Sequence, residues 1–524
     1  LKLQTQVRQS AVVAILFAFA LQTSEADWIT AGGDAQRSSW ARTDSRISVE
    51  AIKKSGLKLE WKLKAEGSAR ELNTLMPAVM LDFYIGYRGF RAFAFVASSS
   101  GQMVAFDSEL GRLEWQKDLN QGNSPRGKSI ACPGGITSAA ARPTTTSYPT
   151  GIAARSGRGT PAKSGVGLPD EGAVTIRRTP PPAPPPVTPV ATAPAAPAPV
   201  NPYAPHVQYV YTLTGDGILH SLWVSNGNEA QPGVPFIPAG AEARGLLVFG
   251  DTAYVATTKQ CGGVADGVWA LDLPTGQVKS WKPEEGGIAG TVGAAAGPDG
   301  TLYVATTGGD LVALEPKTLK VTAKQKISGV EFTSSPVVFD FNGKNLIAVA
   351  ANDGCIYLFD AAALSSPPVK SSVLSASGFE PGSLTSWVDG QKNRWILAPS
   401  PGAHGSVVAM KVISNSSGLA FEEGWKSREL TAPLAPIVSN GVVFALASGE
   451  FQSTDPKVKL AKRVKNSTNA VLYALDGETG KELWNSGEQI TSFVHSGALS
   501  AGDTRIYLAD YEGNEYAFGI PIEH

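Results

Sequence analysis

Beyond about residue 57, bulky apolar side chains alternate with small or polar ones in short bursts, and Gly, Asp and Asn separate the bursts. TLYVATTGG (301–309), LIAVAANDG (346–354) and RIYLADYEG (505–513) show the pattern. A period of two predicts strands with one buried face, and stretches with the 3.6 period of an amphipathic helix are scarce. VLYALDGETGKELWNSG (471–487) shows how the bursts join. Asp476-Gly477 and Thr479-Gly480 supply turn chemistry, and Lys481-Glu482-Leu483-Trp484 begins a second extended run. The unit is a β-hairpin.

That hairpin recurs. Its first strand ends as VAFD (104–107), HSLW (220–223), WALD (269–272), VALE (312–315), YLFD (357–360), VAMK (408–411), YALD (473–476) and YAFG (516–519). Apart from two longer gaps, the copies lie 43 to 51 residues apart, a spacing typical of propeller blades. Two further strands precede most copies, as in TSSPVVFD (333–340) and HSGALS (495–500), and the strand that follows often holds a Trp. The fold class expected is all-β: an eight-bladed β-propeller with four-stranded antiparallel blades. The eighth copy leaves no room for a fourth strand before His524. GLKLEWKLK (56–64) carries Leu then Trp as the outer strands do, so an N-terminal strand is expected to close the ring and hide a sheet edge. Residues 27–524 are then one propeller domain. Trp115, Trp281, Trp425 and Trp484 are read as packing between blades. A buried ring of ~150–250 Å² contributes at most ~4–6 kcal/mol.

Two segments interrupt the pattern. Residues 137–205 are rich in Ser, Thr and Gly and then in Pro and Ala, ending TPPPAPPPVTPVATAPAAPAPVNPYAP (179–205). Proline at that density cannot supply ladder donors, so this insertion is expected to be disordered, either an inert linker or a spacer reaching a partner. Residues 450–468, inside the seventh blade, carry Lys457, Lys459, Lys462, Arg463 and Lys465. Two readings stand, a solvated loop and a seat for an acidic partner.

Composition narrows the setting. Lys2 and Arg8, the apolar run Ala11–Leu21, and Ser24 and Ala26 form an export-signal pattern over residues 1–26, with cleavage expected before Asp27. The apolar run is too short to span a bilayer, so no transmembrane span is expected after cleavage, and the mature protein is placed in the periplasm or secreted. A formal net charge of −1 offers no basic footprint for nucleic acid, and a monomer is expected. The three cysteines are Cys132, Cys261 and Cys355, with no C-x-x-C and no adjacent pair. Cys132 (CPGG) and Cys261 (CGG) sit in neighbouring repeats, and an exported protein can oxidise them to a disulfide, leaving Cys355 free. The five histidines are scattered, so no clustered metal motif is visible. Asp340-Phe341-Asn342-Gly343 lacks the later acidic ligands of a calcium loop and reads as a turn.

YALDGETGKELW, WALDLPTGQVKSW and VAFDSELGRLEW resemble the tryptophan-docking repeats of pyrroloquinoline-quinone (PQQ)-type propellers. DWITAGGDAQRSSWARTDSRISVEAIKKSGLKLEW (27–61) resembles the opening of quinoprotein alcohol dehydrogenases, where W-x-x-x-G-x-D-x-x-R leads into the closing strand. The resemblance implies the propeller fold over nearly all of the mature chain. For activity it implies two classes. One is a binding or scaffold module of the cell envelope that holds a protein partner. The other is a PQQ-dependent dehydrogenase for alcohols or sugars, using calcium or a lanthanide. The vicinal disulfide common in those dehydrogenases is missing, which favours binding. A site would lie where the innermost strands and the loops entering them converge. Candidates there are Glu331, Glu380 and His495 for catalysis, Trp387, Ser334 and Ser335 for cofactor binding, and Cys132 beside them.

Overall fold

The computed structural model describes residues 28–521 except 43, 45, 66–74, 87–88, 120–125, 130, 145–208, 376–377, 403, 417, 454, 456 and 496–498. The expected export signal and the insertion beyond Thr144 lie outside the described residues. Eight antiparallel sheets form the eight blades of a propeller, and each YALD copy lies in the third strand of its blade, counted outward from the axis. The innermost strands are Val79–Gly86 in blade 1, Glu242–Phe249 in blade 3, Ala295–Ala296 in blade 4 and Val337–Phe341 in blade 5. Thr385–Val388, Ile437–Ser439 and Ser500–Gly502 follow in blades 6 to 8.

Blade 2 corrects one expected boundary. Residues 137–144, read as the head of the insertion, belong to the propeller. Ala140 and Ala141 are fully buried, Ala141 bridges Tyr211 as a minimal inner strand, and Pro143–Thr144 pair in parallel with Val248–Phe249 of blade 3. Alanine and serine lack the bulk that marks a strand in a sequence.

Ring closure follows from Lys58–Lys64, which pairs antiparallel with Asn514–Gly519 as the outer strand of blade 8. The helix Val49–Ser55 leads into it, capped by Ser48, whose Oγ accepts the Ala51 N–H at 3.1 Å. Trp61 of the closing strand crosses to blade 1, meeting Phe106 edge-on at 5.1 Å and donating Nε1–H to the Ser108 carbonyl at 2.8 Å. The same joint recurs. Trp115 donates to Val224 O of blade 2 and Trp425 to Gly477 O of blade 7, each at 2.9 Å.

The receiving turn explains why Asp and Gly recur four residues apart. Asp476 Oδ1 accepts the N–H groups of Glu478 and Thr479, and Gly480 N–H returns to the Asp476 carbonyl at 2.8 Å. Gly480 has φ 70°, and a Cβ there would lie 2.4 Å from the Trp425 ring. Glycine supplies both the left-handed backbone and the floor on which the ring lies.

The channel holds a strap. Residues 28–39 make one circuit of it, bonding to the inner strands in blade order. Backbone carbonyls of Trp28 and Ile29 accept from Met80 N–H and Arg142 N–H at 2.7 and 2.8 Å, and Thr30 Oγ1 donates to Leu246 O. Carbonyls of Ala35, Gln36, Ser38 and Ser39 then accept from Ala296, Val338, Ser386 and Val438 at 2.7 to 3.0 Å. Trp40–Ala41 continue as a strand parallel to Val438–Ser439. Seven blades are tied by one segment.

Candidate functional site at the channel mouth

Because the inner strands run in one direction along the channel, the loops entering them and the turns between second and third strands gather at one end, the mouth. Side-chain hydroxyls stitch this end together. Thr137 Oγ1 of blade 2 donates to Ala243 O and accepts Ala243 N–H of blade 3 at 3.0 and 2.8 Å. Thr291 N–H of blade 4 and Ser335 N–H of blade 5 both donate to Gly382 O of blade 6 at 3.0 Å. A Cβ on Gly290 would lie 1.8 Å from Ser335 N, so the entering loops of blades 4 and 5 are in direct contact.

The sequence candidates are distributed over this frame. Ser334 and Ser335 are buried, and their hydroxyls accept the backbone N–H groups of Ala350 and Val292 at 2.9 and 3.0 Å. Glu331 and Glu380 stand exposed on the rim, and Glu331 N–H donates to the Asn352 side chain. Trp387 is buried between blades 6 and 7, stacked on Trp395 with ring centroids 6.3 Å apart and seated against Gly477. Gly477 belongs to a turn at the opposite end of the channel. His495 places Nδ1 2.8 Å from Glu450 Oε2, and Glu450 is buried. Cys132 is joined to Cys261, with Cα atoms 5.4 Å apart. The bond links the loop entering blade 2 to a turn of blade 3.

Charged side chains pair at several places on the mouth, Asp310 with Lys324 and Lys326, Asp353 with Lys370 and His404 with Glu429 among them, and two further groups involve or adjoin the sequence candidates. One is the His495–Glu450 pair at blades 7 and 8. The other lies beside the disulfide: Glu242, 2% exposed, pairs with Arg244 and with Lys259 at 3.4 Å, and its Oε2 lies 3.5 Å from Cys261 Sγ. Burial and the neighbouring Arg244 pull the Lys259 ammonium below the usual lysine range, and Glu242 opposes them. Sequence reasoning missed Glu242, Arg244, Lys259 and Glu450. Their local signal is a charged residue at the edge of an apolar strand, in EARGLLVF and VFALASGE. Glu242 and Arg244 pair within one strand, Lys259 joins them from a turn of the same blade, and Glu450 meets His495 of blade 8.

Among the described residues no three His, Cys, Asp or Glu side chains gather as a metal ion requires. Among those residues, too, no helix is long and apolar enough to cross a membrane. Cys355 is buried, and burial and Asp353 push its thiol pKa up. Denatured, unreduced protein is expected to titrate one thiol with Ellman's reagent, and reduced protein all three cysteines. A count of three before reduction would show Cys132 and Cys261 unbonded.

No protein-family model matches the chain, and no curated protein matches it. Solved structures do. Quinohemoprotein alcohol dehydrogenase from Comamonas testosteroni is similar with a TM-score of 0.58 and 14% identity, over 97% of this chain and 82% of that one. A europium-containing methanol dehydrogenase is similar with a TM-score of 0.55 and 12% identity, over 95% of this chain and 99% of that one. BamB from Moraxella catarrhalis aligns with a TM-score of 0.47 and 14% identity, over 89% of this chain and 99% of that one. At these identities the likeness is one of fold.

Proposed function

We propose that this propeller is an exported binding or scaffold module of the cell envelope, acting as a monomer and holding a protein partner on its mouth face. What supports the reading is how the mouth side chains are engaged. The serine hydroxyls are spent on backbone amides, and the entering loops of blades 4 to 6 touch one another. Many of the charged residues there are paired, Glu242 with Arg244 and Glu450 with His495 among them. Such a surface is a rigid frame with polar groups at its rim, suited to recognition by contact.

The second reading is a PQQ-dependent dehydrogenase with calcium or a lanthanide, favoured by the fold likeness to alcohol and methanol dehydrogenases over nearly the whole chain. A bound quinone would accept electrons from the substrate, and the protein would supply a stacking floor, a cation seat and a base. The nominated residues do not assemble into those parts. Trp387 lies at the far end of the channel, Glu331 and Glu380 are separate on the rim, and His495 is tied to Glu450. No reaction step is derived from them.

Titration with PQQ plus calcium or a lanthanide decides between the readings. The expected result is no saturable rise in the melting midpoint and no dye reduction with alcohols or sugars. A saturable rise with turnover, abolished by changing Glu331, Glu380 or His495, would establish the dehydrogenase instead.

A further inference from the structure

We infer that the basic insertion of blade 7 is a docking site for a short acidic segment of a partner protein. The inference rests on the binding reading and names the chemistry of the partner. The insertion joins the second and third strands of its blade, so it rises from the mouth face beside the His495–Glu450 pair. It is a fixed platform. Arg463 Nη2 donates to Ser453 O at 2.8 Å, Ser467 Oγ accepts Phe451 N–H at 2.9 Å, Thr468 N–H donates to Gly449 O at 2.8 Å, and Val458 is buried.

On that platform the helix Leu460–Asn466 and the residue before it present Lys459, Lys462 and Lys465 three residues apart. Positions three apart on a helix are neighbours, so the lysines form one stripe about 9 Å long. All three are exposed, as is Lys457. Some exposed lysines elsewhere meet carboxylates, Lys324 with Glu284, Lys344 with Asp360 and Lys370 with Asp353 at 3.0, 3.1 and 2.8 Å, while others such as Lys58, Lys279 and Lys320 stand singly without an ion pair among the described residues. Among the described residues none of the four insertion lysines has an ion pair. The carboxylates within the segment are turned elsewhere: Glu450 to His495, and Asp455 to the backbone N–H of Lys457 at 2.9 Å.

Five cations against two carboxylates give residues 450–468 a surplus of three positive charges, in a chain whose net charge is −1. The remaining surface is thus net negative. A long polyanion such as nucleic acid would run off the stripe onto repelling surface, whereas a few carboxylates on a short segment match its length and its charge.

The test uses the full chain and a fluorescent oligoglutamate peptide followed by anisotropy. Saturable binding is expected, weakening as salt rises from about 50 to about 300 mM. Lys459→Glu, Lys462→Glu and Lys465→Glu together should lower affinity by about tenfold or more with the melting midpoint unchanged, and the corresponding triple Lys→Arg variant should retain it. The inference is overturned by any of three outcomes. They are absence of binding, binding that the Glu variant leaves intact, or stronger binding to single-stranded DNA or to phosphatidylglycerol vesicles than to the peptide. Quinone titration reports independently, so loss of the docking site and loss of the binding reading are told apart.

Discussion

Replacing Arg37 by Met is expected to destabilise the protein by roughly 3–5 kcal/mol and to free the strap for proteolysis. The guanidinium is 1% exposed and donates to Ala294 O at 2.9 Å, Thr30 Oγ1 at 2.9 Å, Ala31 O at 2.7 Å and Gly245 O at 2.6 Å. Burial pulls its pKa down to about 10 despite the nearby Asp34, so holding the charge there costs free energy. The four hydrogen bonds offset that cost. Methionine fills similar volume without a charge, but it strands four acceptors, at about 1–3 kcal/mol for each that water does not reach. The stranded acceptors outweigh the relieved charge. Arg37→Lys should rescue little, since one ammonium cannot reach carbonyls of blades 3 and 4 and of the strap together. Urea denaturation gives the magnitude, and limited proteolysis with N-terminal sequencing locates the cut. A midpoint unchanged in Arg37→Met, with residues 28–42 still protected, would show that the backbone bonds hold the strap alone.

The ring was legible in the sequence because its signals are local. Period-two alternation, an Asp four residues before a Gly, and a Trp in the next strand each report one turn or one strand. Eight copies of the alternating third strand count the blades, three of them carrying the Asp–Gly turn, and Trp61 marks the closing strand. The strap was visible only as the resembling motif, because its ties run through backbone carbonyls that any residue carries. The side chains of Thr30, Gln36 and Arg37 also reach the blades, and Asp34 Oδ1 accepts Ser38 N–H at 2.9 Å and holds the turn. Trp387 shows a different limit. Alternation along TSWV says that Ser386 and Trp387 face opposite ways, but not which of them faces the neighbouring blade. Glu450 and His495 lie 45 residues apart, and only the arrangement of blades 7 and 8 joins them.

Glu515→Gln is expected to flatten the stability profile above pH 5. Glu515 lies in the strand Asn514–Gly519, opposite Ala509 and Leu63, on the face where Trp61 meets Phe106 of blade 1. It is fully buried, and neither carboxyl oxygen has a hydrogen-bond partner among the described residues. Burial, reinforced by the charge of Asp510, holds its pKa well above the ordinary value of 4.5, so the native side chain keeps its proton. Below about pH 4 both folded and unfolded chains are protonated at this site, and it adds no pH dependence. Above that range the unfolded chain releases the proton while the folded chain retains it. The native state then binds more protons, and stability falls by about 1.4 kcal/mol per pH unit until the native carboxyl also ionises. Glutamine keeps the shape and removes this slope. The difference between variant and wild type should therefore grow in favour of the variant from pH 5 to pH 7, while contributions from Asp44 and Asp503, also raised by burial, cancel. Urea midpoints at half-unit steps of pH measure it. Parallel profiles would mean that Glu515 is ionised in the folded ring and has found a counter-charge.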